Sequence, residues 1–419
     1  SLQWWLMNKI VCNRINNLPS VNTLDEFFSS SWDVSFHFGL PLATNPSECH
    51  FIKTIPLVPD EFKKNTLAIM IPHVWSQSNV WNKIHTSRFQ PIALNKLHNA
   101  HIFGGRIENR DSIYHDNGQL LLTGNYSILN ASLGVLDGSN TLPRNLVDCE
   151  DGKYYYSNET SVPPIILHGD YYFIGSIHHH FGHFLVEGLS RLWAIKYIPE
   201  EIKKTLKYII YEDSIKPYAL NLLNKFGINQ DNIVFAPKHA ILEKIFVPDI
   251  SYKTHHWGSQ HQAEVYEKLR NQVVSDNDIK SYVYLSRSNV PDRPLSNEKE
   301  LESRLKNLGF EIVSPELLDI DAQLAVIKNA QIIVGPVGSQ LYLSAFSESS
   351  TNVVVCAPSN FYLPDDLLIA SMKGLNLSVL LGSAIDFAKP KRHRAWEINT
   401  EELCEFIQSL IHSKNRHSY

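Results

Sequence analysis

From Pro164 onward the chain alternates short Val/Ile-rich runs with amphipathic stretches, and this alternation restricts its fold more than any other feature. Strand candidates lie at 171–175, 207–211, 232–236 and 244–248, with helix candidates at 182–197, 215–226 and 258–275. A second cycle opens with "SYVYLSR" at 281–287, then a helix at 297–308, a strand at 310–313, a helix at 320–329 and "QIIVG" at 331–335. A helix at about 339–347, "NVVVC" at 352–356, a helix near 365–372 and a strand at 376–381 complete it. Repeated βα units with apolar strands demand parallel sheets covered on both faces. The expectation is therefore an α/β protein of two Rossmann-like halves facing a cleft, meeting near 276–280. A last helix at 400–412 carries Leu403, Phe406, Ile407 and Leu410 on one face, which suits packing back onto the body.

At 419 residues the chain is too long for one ordinary core. The first 90 or so residues are irregular and punctuated by proline. Trp4, Trp5, Trp32, Trp75 and Trp81 read there as hydrophobic anchors, with a sugar-stacking platform as the sharper alternative. From His98 to about Ile166, "AHIFGG", "GQLLLTGNY" and "KYYYS" read as short strands in a small β-rich segment. A formal net charge of -5 leaves no general nucleic-acid footprint. Five scattered cysteines without a CxxC pair argue against a disulfide framework or a cysteine zinc site, and suit a reducing compartment. The sequence has no apolar run long enough to span a bilayer and no convincing signal peptide.

Three stretches could carry chemistry. In "SIHHHFGHFLVEGLSRLWAIKY" (176–197) an apolar run ends in a polar turn that feeds a helix, and four histidines fall within six positions. Open α/β sheets hold their ligands at such strand ends. His179, His183 and Glu187 recur at four-residue spacing, so on a regular helix they share one face. That face fits general-base work or, as a competing reading, a metal site. In "YLSRSNVPDRPLSNEKEL" a strand delivers Arg287 to the sheet edge and a loop carries Arg293. Two guanidinium forks could hold a diphosphate, while pairing with carboxylates such as Asp292 is the plainer role for Arg293. In "IIVGPVGSQLYLSAF" a strand runs through Gly335 and Gly338 into a helix starting near Ser339. Free amides there favour an anion, although a tight βα turn explains the glycines as well. His255 and His256 precede the 258–275 helix and could edge the cleft by position. The basic run "AKPKRHRAW" (388–396) reads as a solvated loop in preference to a lipid-binding patch.

With these residues in hand, the chain resembles glycosyltransferase family 61 over roughly 98–385. "FGHFLVEGLSRLW" resembles that family's Gly-His-aromatic helix, the "YLSRSNVPDRPLSNEKEL" segment its Ser-Arg…Arg…Asn-Glu run, and "GPVGSQLYLSAF" its glycine turn. The resemblance implies a GT-B arrangement and inverting transfer from a nucleotide-sugar donor to an oligosaccharide or polysaccharide acceptor. It carries a catalytic role to His183 and Glu187, and donor binding to Arg287, Arg293, Asn297, Glu298, Gly335, Gly338 and Ser339. Val337 departs from it, standing where the family usually has His. The implied domains are an N-terminal extension with short strands (1–165), an acceptor-side Rossmann-like domain bearing the catalytic helix (166–278), a nucleotide-sugar domain (279–390) and a C-terminal helix (391–419).

Either His183 or Glu187 could serve as base, and Arg287 with Arg293 would neutralise the departing phosphate, so no metal or other cofactor is expected. The sequence thus points to a cytoplasmic enzyme of capsule or other surface-polysaccharide synthesis, at the inner face of the membrane. Its expected partners are donor, acceptor, the membrane surface or other polysaccharide-assembly proteins, and no nucleic acid. The competing classes are a metal-dependent hydrolase on the His179/His183/Glu187 face and a catalytically inactive sugar-binding module.

Overall fold

A computed structural model of the protein describes residues 9–15, 18–38, 92–104, 119–133, 135–136, 139–140, 146–148, 153–157, 163–255, 257–274, 281–363 and 365–416. Trp4, Trp5, Trp75 and Trp81, and the 276–280 junction, lie outside them. The described chain divides into two compact units, the first ending at Thr254 and the second beginning at His255. The division thus falls before the helix candidate at 258–275, which belongs to the second unit.

In the first unit, the four strand candidates form β1 (Ile165–Gly175), β2 (Lys207–Ile210), β3 (Ile233–Phe235) and β4 (Ala240–Pro248). All pair in parallel, in the order β3-β2-β1-β4. Tyr172 faces Tyr208 on one side of β1 and Phe246 on the other. Only the second half of β1, from Tyr171, is buried; in its first half the apolar Ile165 and Ile166 are exposed. The order reverses between β1 and β4, so the carboxyl end of β1 opens at a topological switch point, where doubly wound sheets bind their ligands. Helix α1 (Pro217–Asn224) follows β2 and buries Ala219, Leu222 and Leu223.

Most of the short strands described before β1 continue the same sheet. Ala93–Phe103 pairs antiparallel with β4, matching Leu97 to Ile245 and Ile102 to Ala240. Leu120–Leu122, Ser127–Leu129, Lys9–Ile15, Lys153–Ser157 and Leu146–Asp148 extend it outward. One core joins the two parts: Leu97, Ile102 and Leu121 pack in the same cluster as Phe173, Ile209 and Leu242.

The second unit holds β5 (Ser281–Leu285), β6 (Phe310–Val313), β7 (Ala330–Pro336), β8 (Asn352–Pro358) and β9 (Asn376–Ala384). They pair in parallel in the order β6-β5-β7-β8-β9, with two residues, Trp396–Glu397, added antiparallel to β9. This is again a doubly wound order, and its switch point lies between β5 and β7. Helices α2 (Gln260–Asn271), α3 (Glu298–Asn307), α4 (Ile320–Lys328), α5 (Asp365–Lys373) and α6 (Thr400–Arg416) accompany the strands. The Asp319 carboxylate caps α4 by accepting from the Ala322 amide at 2.8 Å. Leu403, Phe406, Ile407 and Leu410 of α6 pack in one cluster with Leu301, Leu305, Val334 and Trp396, so the last helix closes this unit. Among the described residues no helix is long and apolar enough to cross a membrane.

Candidate functional site

The residues around His183 are arranged by the end of β1. Gly175 takes φ +76°, a left-handed conformation that turns the chain out of the strand. The next residues wrap around Glu212, which lies just beyond β2. Its buried carboxylate accepts the Ser176 hydroxyl and the amides of Ile177 and His178, the latter two at 3.0 Å. These bonds hold His178 at φ +55°, a conformation few side chains adopt without support.

The single helix expected over 182–197 is instead broken into three pieces. An α-turn (Phe181–His183) passes into a π-helical turn (Phe184–Gly188) and, after a short gap, into a 3-10 segment (Leu192–Tyr197). Gly188 explains the close fit beneath: a Cβ there would stand 2.7 Å from the Ile177 carbonyl oxygen and 2.7 Å from the Phe184 ring. Arg191 anchors the end of the break, its guanidinium donating to the carbonyls of Ala131 (2.8 Å) and Leu133 (3.0 Å). Wide helical turns of this kind concentrate at functional sites.

Across the π-turn, His183 Nδ1 lies 2.5 Å from Glu187 Oε2. The carboxylate is almost wholly buried while the imidazole keeps 18% of its side-chain surface. His178 Nε2 approaches the same oxygen at 3.8 Å, and the His180 and His183 ring centres are 5.1 Å apart. Burial disfavours charge on both His178 and His180, and the neighbouring His183 adds to this effect. Glu187 Oε1 is buried without a hydrogen-bond partner among the described residues, and orphaned acceptors of this kind call for a functional explanation.

His179 does not join this group. The helix begins at Phe181, so residue 179 lies outside it, and its carbonyl instead accepts the Tyr218 hydroxyl at 2.9 Å. The shared His179/His183/Glu187 face is therefore corrected to His178, His180 and His183 around Glu187. Among the described residues no group of three or more His, Cys, Asp or Glu side chains is arranged to hold a metal ion.

At the second switch point the donor-side residues divide by role. Arg287 follows the end of β5 and donates to Gln340 Oε1 (3.2 Å) and the Asp292 carbonyl (3.0 Å), remaining only partly buried. Gly338 lies directly against it: a Cβ there would stand 2.4 Å from Arg287 Nη1. Gly335 similarly permits close approach to β5, since a Cβ at that position would stand 3.0 Å from the Leu285 carbonyl oxygen. Ser339 opens 3-10 turns over Ser339–Phe346, where a regular helix was expected. The β5 end, the glycine turn and its amides therefore converge on one edge.

Arg293, Asn297 and Glu298 are spent on the protein itself. Arg293 sits at φ +53° and donates to the carbonyls of Arg392 (3.0 Å) and Val337 (3.1 Å). Its guanidinium stacks 4.2 Å over the Phe361 ring, and burial lowers its pKa to about 10. The Asn297 amide clamps Ile398, donating to its carbonyl at 2.7 Å and accepting its N–H at 3.2 Å. Glu298 accepts the Tyr284 hydroxyl (3.0 Å) and the Arg287 amide (2.7 Å), and burial raises its pKa. Val337 is completely buried, its N–H bonded to the Cys356 carbonyl at 2.7 Å, so position 337 offers no side chain to a ligand.

Two groups escaped the sequence reading. Glu212 is one; its signal was its position just past a parallel strand adjacent to β1. The other is Asp365, whose fully buried carboxylate lies 2.6 Å from His255 Nδ1 and accepts the Tyr342 hydroxyl at 3.1 Å. His255, distinguished in the sequence by position alone, adopts φ +62°.

Residues 181–354 match the family model described as Glycosyltransferase 61. The protein is a glycosyltransferase carrying a family 61 domain over this span. The matched span begins at the first residue of the α-turn carrying His183 and ends within β8. In this glycosyltransferase it therefore contains the His183–Glu187 pair, Arg287 and the Gly335–Ser339 turn. No curated protein matches the chain.

Proposed function

We propose that this glycosyltransferase works by inversion, moving a sugar from a nucleotide-sugar donor to a hydroxyl of a saccharide acceptor. The observation that carries the reading is the 2.5 Å contact between His183 Nδ1 and the buried Glu187 carboxylate. In neutral His183, Nδ1–H donates to Glu187 and the Nε2 lone pair serves as the base. Nε2 takes the acceptor hydroxyl proton as that oxygen forms its bond to the anomeric carbon. The bond to the diphosphate breaks on the opposite face, which inverts the configuration. Glu187 holds the ring and stabilises the imidazolium that forms.

The charge released on the diphosphate needs cations or oriented amides. Arg287, set against the Gly338 turn, supplies the first and the start of the Ser339–Phe346 segment the second. Arg293 shapes that turn through the Val337 carbonyl. This assignment needs no metal or other cofactor. A GT-B division of labour follows, with the donor held by the second unit and the acceptor activated by the first. The reading extends to capsule or other surface-polysaccharide synthesis in the cytoplasm, with peripheral association at the inner membrane face.

The test is a transfer assay over a panel of nucleotide sugars with the product anomer determined by NMR. His183→Ala and Arg287→Ala are each expected to lower transfer about 10²-fold or more. Retained anomeric configuration, or near-full transfer in both variants, would refute the assignment.

A further inference from the structure

The chain between β9 and α6 forms a closed loop on the second unit. At its root the Ile385 amide donates to the Ala395 carbonyl at 2.9 Å, and Ala384 pairs in register with the fully buried Trp396. Inside it, Arg394 Nε donates to the Lys389 carbonyl at 2.8 Å, and its guanidinium carbon lies 5.1 Å from the Phe387 ring centre. The loop is thus braced by its own bonds. Yet it turns apolar side chains outward: Phe387 is 68% exposed and Ile385 47%.

The same loop concentrates charge. The sequence places Lys389, Lys391, Arg392 and Arg394 against the single acid Asp386, in a chain whose formal net charge is -5. Lys389 reaches Asp386 at 3.3 Å and remains exposed, as does Arg392. The exposed phenyl ring and the exposed branched aliphatic thus stand beside clustered cations, an amphipathic tip. A soluble anionic polysaccharide would engage the cations and leave Ile385 in water. A bilayer with anionic headgroups satisfies both halves: the apolar groups enter the acyl boundary while the cations meet the headgroups.

We propose that the loop over 385–395 docks this protein on an anionic lipid surface through Phe387, Ile385 and the cations around them. The proposal rests on the membrane association suggested above and names the surface and the lipid chemistry responsible for it. The root of the loop also touches the donor side, since His393 Nδ1 meets the Asp292 carboxylate and Arg293 donates to the Arg392 carbonyl at 3.0 Å. Docking would therefore place the donor segment beside the membrane.

The experiment is flotation of the full chain with vesicles of phosphatidylcholine alone and of phosphatidylcholine mixed with phosphatidylglycerol, at low and high salt. Binding is expected only to the mixed vesicles and is weakened by salt. Phe387→Ser is expected to lower partitioning roughly tenfold through loss of its apolar anchor. Lys389→Gln should lower it roughly fivefold, the effect of one interfacial cation. Both variants should keep the wild-type melting temperature and transfer rate on a soluble acceptor, so a failed docking proposal is distinguishable from a failed transfer reading. Absence of flotation, equal binding to both vesicle types, or wild-type flotation by Phe387→Ser would overturn the proposal. Lysine-dependent capture by heparin without flotation would assign the loop to a soluble polyanion instead.

Discussion

An imidazole held by a buried carboxylate is a different reagent from a free one, because its tautomer and ring orientation are fixed before substrate arrives. Glu187→Gln tests this at the level of one charge. The amide keeps the size of the side chain but loses the anionic acceptor that sets Nδ1–H, so kcat should fall about 10²–10⁴-fold with little change in KM. Initial-rate kinetics read the split, and a variant affected only in KM would move Glu187 from orienting the base to binding substrate. The i,i+4 spacing made this pair legible in the sequence. His178 was legible only as part of a histidine run, because its approach to Glu187 depends on a left-handed turn held by Glu212 from beyond the end of β2.

Elements were readable wherever local pattern decides them. The strands from β5 to β9 begin and end within a few residues of their apolar runs, most plainly the central β7 and β8, which are buried on both faces, whereas the edge strand β6 leaves Glu311 exposed. The helix after β1 was not readable in the same way. Its apolar spacing is helical throughout, but Gly188 lies so close to Ile177 that the chain must widen into a π-turn there. Gly188→Ala should therefore cost about 1–3 kcal/mol by overpacking, seen as a lower urea midpoint accompanied by lost transfer. An unchanged midpoint would show that the loop beneath yields freely.

The joining of the N-terminal strands to β4 was also hidden, since antiparallel pairing between residues more than a hundred positions apart leaves no local trace. That seam carries a pH effect. His101 on the Ala93–Phe103 strand lies 3.1 Å from His239, just before β4, each against an aromatic ring, Tyr126 and Phe103 respectively. Burial, with His101 as a further contribution, lowers His239 from 6.5 to about 4. Below pH 6.5 the unfolded chain takes up a proton that the folded pair refuses, so this contribution to stability is present above 6.5 and is lost as pH falls toward 4. The urea midpoint should decline across that window more steeply in the native protein than in His239→Gln. Parallel curves would remove His239 from the acid response.

At the scale of the molecule, each unit places a different part of the proposed chemistry at its own switch point: the His183–Glu187 pair after β1, and Arg287 with the Gly338 turn between β5 and β7. Donor binding and proton removal should then be separable by mutation. A nucleoside diphosphate that binds only the folded protein raises its stability by about 2.7 kcal/mol at a hundred times its Kd. The rise in melting temperature should survive in His183→Ala, which alters only the proposed base, and should fall sharply in Arg287→Ala, which removes the cation proposed to face the phosphates. Free sugars should produce no comparable rise, because the guanidinium and the turn amides recognise the anion. If His183→Ala loses the shift as completely as Arg287→Ala, the two switch points do not divide the work, and the histidine helix must itself bind the donor.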